Sequence, residues 1–261
     1  MTNALAWMGP AGLGLAAGAS LAFAVWLASL RLHDVSIVDA AWSFLVWLPA
    51  AVAVTEAPQA GPRAWPVMGL ALVWALRLAV HIAHRQHGQP EDARYRAIRA
   101  RNEPHFEWKS LVLVFALQAV LGWIVGAPLV AASASGSPWH VLDAAGVALM
   151  AFGIGFEAIA DAQLARFKAD PGQKGRVLVT GLWRYSRHPN YFGECCVWWG
   201  AWLVAAAAGA AWTIVSPLVM TVLLLKVSGV ALLEKDIGVR RPAYADYIRR
   251  TNAFVPGPPR P

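Results

Sequence analysis

The residues best suited to chemistry gather in one short stretch, GLWRYSRHPNYFGECCVWWG (181–200), where a basic loop runs into an apolar helix that carries a carboxylate. Arg184, Arg187, His188, Asn190, Tyr191 and Glu194 fall within it, and Lys168 and Arg176 stand just upstream. Pro189 suits the first turn of a helix, where the backbone N–H has no intrahelical partner. The free N–H groups and dipole of such a helix start favour an anion, and Arg grips phosphate through two parallel hydrogen bonds. Asn190 and Glu194 are four residues apart and share a helix face. Together with His188 and Tyr191 they suit a ligand bearing both phosphate and amide or hydroxyl groups. The competing reading is a charge cluster that only sets membrane orientation; it leaves His188, Asn190, Tyr191 and Glu194 without a role.

Further ionisable residues fall inside apolar runs: Asp39, Arg77, His81, Glu157, Asp161 and Lys226, with Glu234 at the end of the last run. Such side chains are costly in a bilayer, face the bundle interior and mark sites. Glu157 and Asp161 share one helix face, as do Arg77, His81 and His84. Asp39 has a local alternative, because SIVD (36–39) is a capping box in which Asp39 reaches back to Ser36. Arg77, His81 and Glu157 have one too, as structural partners between helices. Cys195 and Cys196 are adjacent and cannot bridge each other in ordinary geometry, so they read as small apolar helix residues. No metal site is expected, and no GxGxxG, P-loop or HExxH motif occurs.

The elements that position these groups follow from composition. The chain is 58% hydrophobic and only 14% charged, which indicates a membrane protein. Apolar runs long enough to cross a hydrocarbon core of about 30 Å recur near 11–30, 36–55, 65–84, 110–133, 139–165, 190–208 and 212–233. The first is read as a retained helix, since no charged start or cleavage site marks a signal peptide. The expected fold is all-α: an integral membrane bundle of seven transmembrane helices forming a single domain over 1–261.

Cations cluster in alternate loops. Arg85, Arg94, Arg96, Arg99, Arg101 and Lys109 lie between spans three and four, and Arg166, Lys168, Lys174, Arg176, Arg184 and Arg187 between five and six. Lys235, Arg240, Arg241, Arg249, Arg250 and Arg260 follow span seven, whereas the opposite loops carry only Arg63. This bias puts the N-terminus outside and the C-terminus in the cytoplasm. The net charge of +7 is then accounted for by orientation and attraction to anionic lipid, with no nucleic-acid partner required. Long cytoplasmic loops are where function concentrates. The first is predicted to hold a short surface helix over 91–102, and the tail a short amphipathic helix ending at proline.

GLWRYSRHPNYFGE (181–194) followed by AYADYIRRTNAFVP (243–256) resembles the C-terminal half of the steroid 5-alpha-reductase superfamily, closest to its bacterial branch of uncharacterised membrane proteins (3-oxo-5-alpha-steroid 4-dehydrogenase-like). The likeness is detailed over about the last 110 residues and rests on hydropathy and a few polar positions before them. It implies an NADPH pocket built by 110–261, with helices one to three and their loop (1–109) on the substrate side. Lys168 and Arg176 would lie near the cofactor phosphates, and Asp161, Asn190 and Glu194 near ribose or nicotinamide. Arg187, His188 and Tyr191 would stand at the pocket mouth, and Lys226 and Glu234 would line it again from span seven. Lys168 stands where the steroid enzymes carry Arg, which keeps the charge and loses the planar fork. On the substrate side Asp39 replaces a Glu, and span three offers His81 or Ile82 where a Tyr falls; Tyr95 is a substitute from the following loop.

The resemblance implies reduction of the C=C bond of an enone in an apolar, sterol-like substrate taken from the bilayer. Asp39, Tyr95 or His81 would polarise the carbonyl, in a bacterial inner membrane with the cofactor site facing the cytoplasm. The same half also resembles the isoprenylcysteine and phospholipid methyltransferases, which share RHP before an aromatic residue and use S-adenosylmethionine. A sulfonium cofactor has no phosphate, so it would leave Lys168 and Arg176 with less to do. A non-catalytic lipid or sterol binder is the third reading.

Overall fold

The computed structural model describes residues 4–57, 60–227, 229–234 and 242–260; Lys235, Arg240 and Arg241 lie outside them. The described residues are all-helical. Helices α1 (Ala4–Leu32), α2 (Ile37–Thr55) and α3 (Ala64–Gln86) are followed by the short α4 (Ala93–Asn102). Next come α5 (Phe106–Ser133), α6 (Val141–Ala169), α7 (Pro189–Ala207), α8 (Ala211–Val227), α9 (Val230–Glu234) and α10 (Pro242–Arg250). Five of these, the spans Met8–Leu32, α2, α3, α5 and α6, are long and apolar enough to cross a membrane. The predicted sixth and seventh spans are weaker: α7 opens on Asn190, Tyr191 and Glu194, and α8 is roughly 26 Å long at 1.5 Å per residue. Val73, Leu76 and Val80 of α3, and Val112, Leu113, Leu117 and Val120 of α5, are exposed. Apolar rows of this kind suit lipid contact.

The chain forms two compact units, Met1–Asp143 with Val204–Ser216, and Ala144–Leu203 with Pro217–Pro261. In the first, α2 is gripped from both sides by paired glycines. A Cβ on Gly14 or Gly18 of α1 would meet Pro49 at 2.3 and 2.9 Å, and one on Gly122 or Gly126 of α5 would meet the Leu45 and Val46 carbonyls at 2.4 and 2.8 Å. Pro49 has no N–H to offer the Leu45 carbonyl one helical turn earlier, and it is on that carbonyl that Gly122 lies. Small residues let membrane helices approach at backbone distance, where dispersion and weak C–H contacts hold them.

Two sets of bonds tie the loops of this unit. At one end the Arg63 guanidinium, fully buried, donates to Asp143 Oδ1 and Oδ2 (2.7 and 2.8 Å), to the Ser137 carbonyl and hydroxyl and to the Pro138 carbonyl. Gly61 N–H donates to the Ser133 carbonyl (2.7 Å). In a second set, Glu91 accepts from the Val35 N–H (2.9 Å) and from Arg99 Nη2 (2.9 Å), and Gln86 donates to the Ser36 carbonyl (3.2 Å). Thus 60–63 is fastened to 133–143, and 34–36 to 86–99.

In the second unit, glycines seven apart on each of two helices make the crossing of α6 and α7. A Cβ on Gly153 would lie 2.5 Å from the Gly193 carbonyl, one on Gly193 2.7 Å from the Glu157 nitrogen, and one on Gly200 2.6 Å from the Gly146 carbonyl. The two backbones therefore touch, and the polar residues of both helices are carried to the crossing.

Candidate functional site

On the first unit, Asp39 sits in the first turn of α2 and Tyr95 in α4, and the two sequence candidates for the substrate side are bonded together. The Tyr95 hydroxyl donates to Asp39 Oδ1 (2.7 Å) and accepts from Gln118 Nε2 of α5 (3.1 Å). Arg94 Nη2 pairs with Asp39 Oδ2 (2.5 Å), and the Arg94 guanidinium also lies 5.3 Å from the centre of the Tyr95 ring. Asp92 caps α4, accepting from the Arg94 backbone N–H (2.8 Å) and from its Nε (3.1 Å). The capping box expected of SIVD does not form: Ser36 makes no side-chain cap and its hydroxyl donates to Asp34, while the Asp39 carboxylate turns to α4. The reason is competition, since a neutral N–H at the helix start offers less than a guanidinium and a phenol together.

Tyr95 is 5% exposed and packs in an apolar cluster with Ala22, Trp26, Val38, Phe106 and Phe115. Burial, and the Asp39 carboxylate beside it, hold its phenol well above the ordinary range, which makes it a hydrogen-bond donor that keeps its proton. His81 is half-buried on α3. The π-helical segment Leu111–Ala116 precedes Gln118 by one residue. Such a widened turn is common at functional sites.

On the second unit the α6–α7 crossing brings together Asp161 and Asn190, two of the predicted cofactor residues. Asn190 Nδ2 donates to Asp161 Oδ1 (3.1 Å), and Glu157, Asp161 and Glu194 are all buried, at 2%, 4% and 6% exposure. Lys168 lies exposed at the end of α6, Arg176 is exposed in the loop, and Lys226 is exposed in the π-helical end of α8. The set grades from exposed cations to buried carboxylates and an amide. The loop is pinned to α6 by Trp183 Nε1 donating to the Ala160 carbonyl (3.0 Å) and by Leu182 N–H donating to Gln163 (2.9 Å).

Arg187 and His188 are buried, at 7% and 5% exposure, where a rim position was expected. Arg187 grips Glu234 with two prongs (2.7 and 2.8 Å) and donates to the Ile248 and Thr251 carbonyls (3.1 and 2.5 Å). His188 Nε2 meets Glu234 Oε1 at 2.9 Å, and its ring stacks on Tyr191 with centroids 5.5 Å apart. Burial alone would raise the Glu234 pKa, but hydrogen bonds from His188 and Arg187 push it down to about 2. Ser186 donates to the Phe254 carbonyl (2.8 Å), Tyr247 donates to the Trp183 and Ser186 carbonyls, and Phe192 meets Phe254 edge-on. Arg187, His188 and Glu234 therefore clasp the C-terminal segment to the start of α7. Burial raises the Tyr247 phenol above its ordinary range, so it stays a neutral donor in this clasp.

The structure thus joins Asp39 to Tyr95, Asp161 to Asn190, and Arg187 and His188 to Glu234. Arg94, Gln118 and the four crossing glycines did not stand out as site residues in the sequence. Only the seven-residue glycine spacing, 146 to 153 and 193 to 200, offered a signal. Cys195 and Cys196 are buried free thiols, with Cys195 Sγ 3.3 Å from Thr221 Oγ1.

No curated protein matches the chain, and no solved structure does. A family profile aligns with residues 25–251, a range that takes in both clusters. The chain therefore belongs to the family described as protein of unknown function (DUF1295).

Proposed function

We propose that this protein is an NADPH-dependent membrane reductase that saturates the C=C bond of an enone in an apolar, sterol-like molecule drawn from the bilayer. The observation that carries the reading is the α6–α7 crossing, which brings Asp161 to Asn190 beside buried Glu194 while Lys168 and Arg176 stay exposed. That donor set suits a ligand with phosphates at its wet end and hydroxyl and amide groups at its buried end. Lys168 and Arg176 would hold the phosphates; Asp161, Asn190 and Glu194 would take hydroxyl and amide groups. Arg187, His188 and Glu234 would act by keeping the C-terminal segment closed on α7, since their polar atoms are spent on one another and on backbone carbonyls.

NADPH, when bound, supplies the hydride that adds to the β carbon of the enone. Negative charge then gathers on the carbonyl oxygen, and the Tyr95 hydroxyl, held by Asp39 and Gln118, is the donor that offsets it. One such donor contributes on the order of 3 kcal/mol to the barrier. The α carbon takes its proton from water. The apolar walls around Tyr95 suit a substrate of hydrocarbon bulk with one polar oxygen.

Orientation belongs to the same proposal: seven crossings, the N-terminus outside, and the cofactor site facing the cytoplasm of a bacterial inner membrane. The loop contacts support it. The segment 86–99, which carries Arg94, Arg96 and Arg99, is fastened to 34–36, and 60–63 is fastened to 133–143. Arg63, the exception to the positive-inside bias, is neutralised by Asp143.

The test is which cofactor the purified full-length protein retains. NADPH is expected to copurify or bind, and Lys168→Ala with Arg176→Ala to weaken it at least ten-fold. Absence of NADPH binding sinks the reading, and preference for S-adenosylmethionine replaces it with the methyltransferase.

A further inference from the structure

We propose that Arg94 is a positioning residue that holds Asp39 as a carboxylate, so that Tyr95 alone carries the transferable hydrogen of the pair and Gln118 fixes its oxygen. The proposal rests on reading Asp39 and Tyr95 as the substrate side, and goes beyond it by deciding between two acids and adding two residues. The geometry carries it. Both Asp39 oxygens accept, one from a guanidinium at 2.5 Å and one from a phenol at 2.7 Å, so a proton on either oxygen would weaken an acceptor already in use. A neutral carboxyl would also leave Arg94 facing an acceptor without charge.

Arg94 is itself held. Asp92 Oδ1 binds its Nε and its backbone N–H, and the guanidinium lies against the Tyr95 ring, so its reach to Asp39 is set by α4 and not by a free rotor. Other charged groups acting on Asp39 include Asp92 from the loop before α4 and Arg85 from α3. Among the charged groups acting on Asp39, Arg94 acts most strongly.

The consequence for Tyr95 is directional. Its single hydrogen points at Asp39 Oδ1, and Gln118 Nε2 occupies one lone pair from the other side. Rotation about the phenolic C–O bond carries that hydrogen from Asp39 to a substrate oxygen while Gln118 keeps the oxygen in place. Asp39 stays charged in both positions and draws the hydroxyl back when product leaves. No proton is lost from the pair in this motion.

Infrared difference spectroscopy on the full-length protein tests this without any turnover. The wild type minus Asp39→Asn spectrum at neutral pH is expected to show carboxylate stretches and no protonated-carboxyl C=O stretch. In Arg94→Gln the protonated band should appear and should vanish in the Arg94→Gln/Asp39→Asn double variant. Arg94→Lys should restore the carboxylate, which a purely structural role for Arg94 does not require. If Arg94→Gln does not fold, the wild-type spectrum at pH 7 still decides whether Asp39 is a carboxylate. A protonated Asp39 in the wild type at pH 7, or a carboxylate that persists in Arg94→Gln, overturns the proposal. Because the readout needs neither NADPH nor substrate, its failure is separate from failure of the reductase reading.

Discussion

Substituting Gly193 by Ala isolates the contact that builds the second cluster. The new Cβ would lie 2.7 Å from the Glu157 nitrogen, 2.8 Å from the Gly153 carbonyl oxygen and 2.9 Å from the Glu157 Cβ. Two of those three atoms are backbone, so no side-chain rotation relieves them. Non-bonded contacts of carbon settle near 3.5 Å, so the helices must part by roughly 0.8 Å at the crossing or tilt. The same shift takes the Asn190–Asp161 hydrogen bond from 3.1 Å to about 3.9 Å, past the useful range. Over-packing of this kind costs about 1–3 kcal/mol, a fall in melting temperature on the order of 5 °C for a chain of this size. The assay is thermal unfolding in detergent followed by tryptophan fluorescence, read beside NADPH retention. Gly155→Ala on the facing helix α6 is the control, since a Cβ there meets nothing within 4 Å and removing a helical glycine stabilises by roughly 0.5–1 kcal/mol. If Gly193→Ala melts with or above the wild type, or Gly155→Ala falls as far, backbone contact is not what holds α6 to α7.

Three further outcomes are expected. Arg63→Ala should destabilise the first unit by about 3–5 kcal/mol, because Asp143 is left buried and charged, whereas replacing both partners by apolar residues of like volume should cost far less; equal losses in denaturant unfolding would refute the buried-pair account. Arg187→Ala should expose the segment 242–260 to proteolysis under conditions in which the wild type resists, with Arg187→Lys between the two; unchanged cleavage would show that the clasp holds nothing. In acid, burial disfavours the Glu91 and Asp92 carboxylates, but bonds from Arg99 and Val35 to Glu91 and from Arg94 to Asp92 hold both below their ordinary range. Groups depressed in the folded state contribute stability that is complete above about pH 5 and is lost as pH falls through roughly 4 and lower. Amide exchange in α4 should therefore accelerate below that range before α2 and α3 are affected, and Glu91→Gln should flatten the dependence; protection of α4 that ignores acid would count against it.

Much of this molecule is visible in one dimension because the bilayer imposes long apolar runs. The five long helices fall on predicted spans, the surface helix appears as α4 and Pro189 opens α7. The last two spans are less distinct, since α7 begins with site polarity and α8 is short. The charge exception at Arg63 is explained only in three dimensions, where the residue is paired with Asp143.

Periodicity also put Asp161, Asn190 and Glu194 on helix faces, and their burial together follows from glycines that let two backbones touch. Which groups meet was another matter. Asp39 had an equally good local partner in Ser36, and nothing in the spacing 39 to 95 to 118 favours a contact. Arg187 and His188 had the composition of a phosphate grip, yet the fold spends them on Glu234 and on carbonyls of the tail. The sequence by itself determined the helices, their apolar faces and the stock of charged groups, because those depend on local periodicity and on the cost of burying charge. Only the tertiary structure decided which charge faces which, because a guanidinium or carboxylate takes the partner that packing brings within about 3 Å, however far along the chain that partner lies.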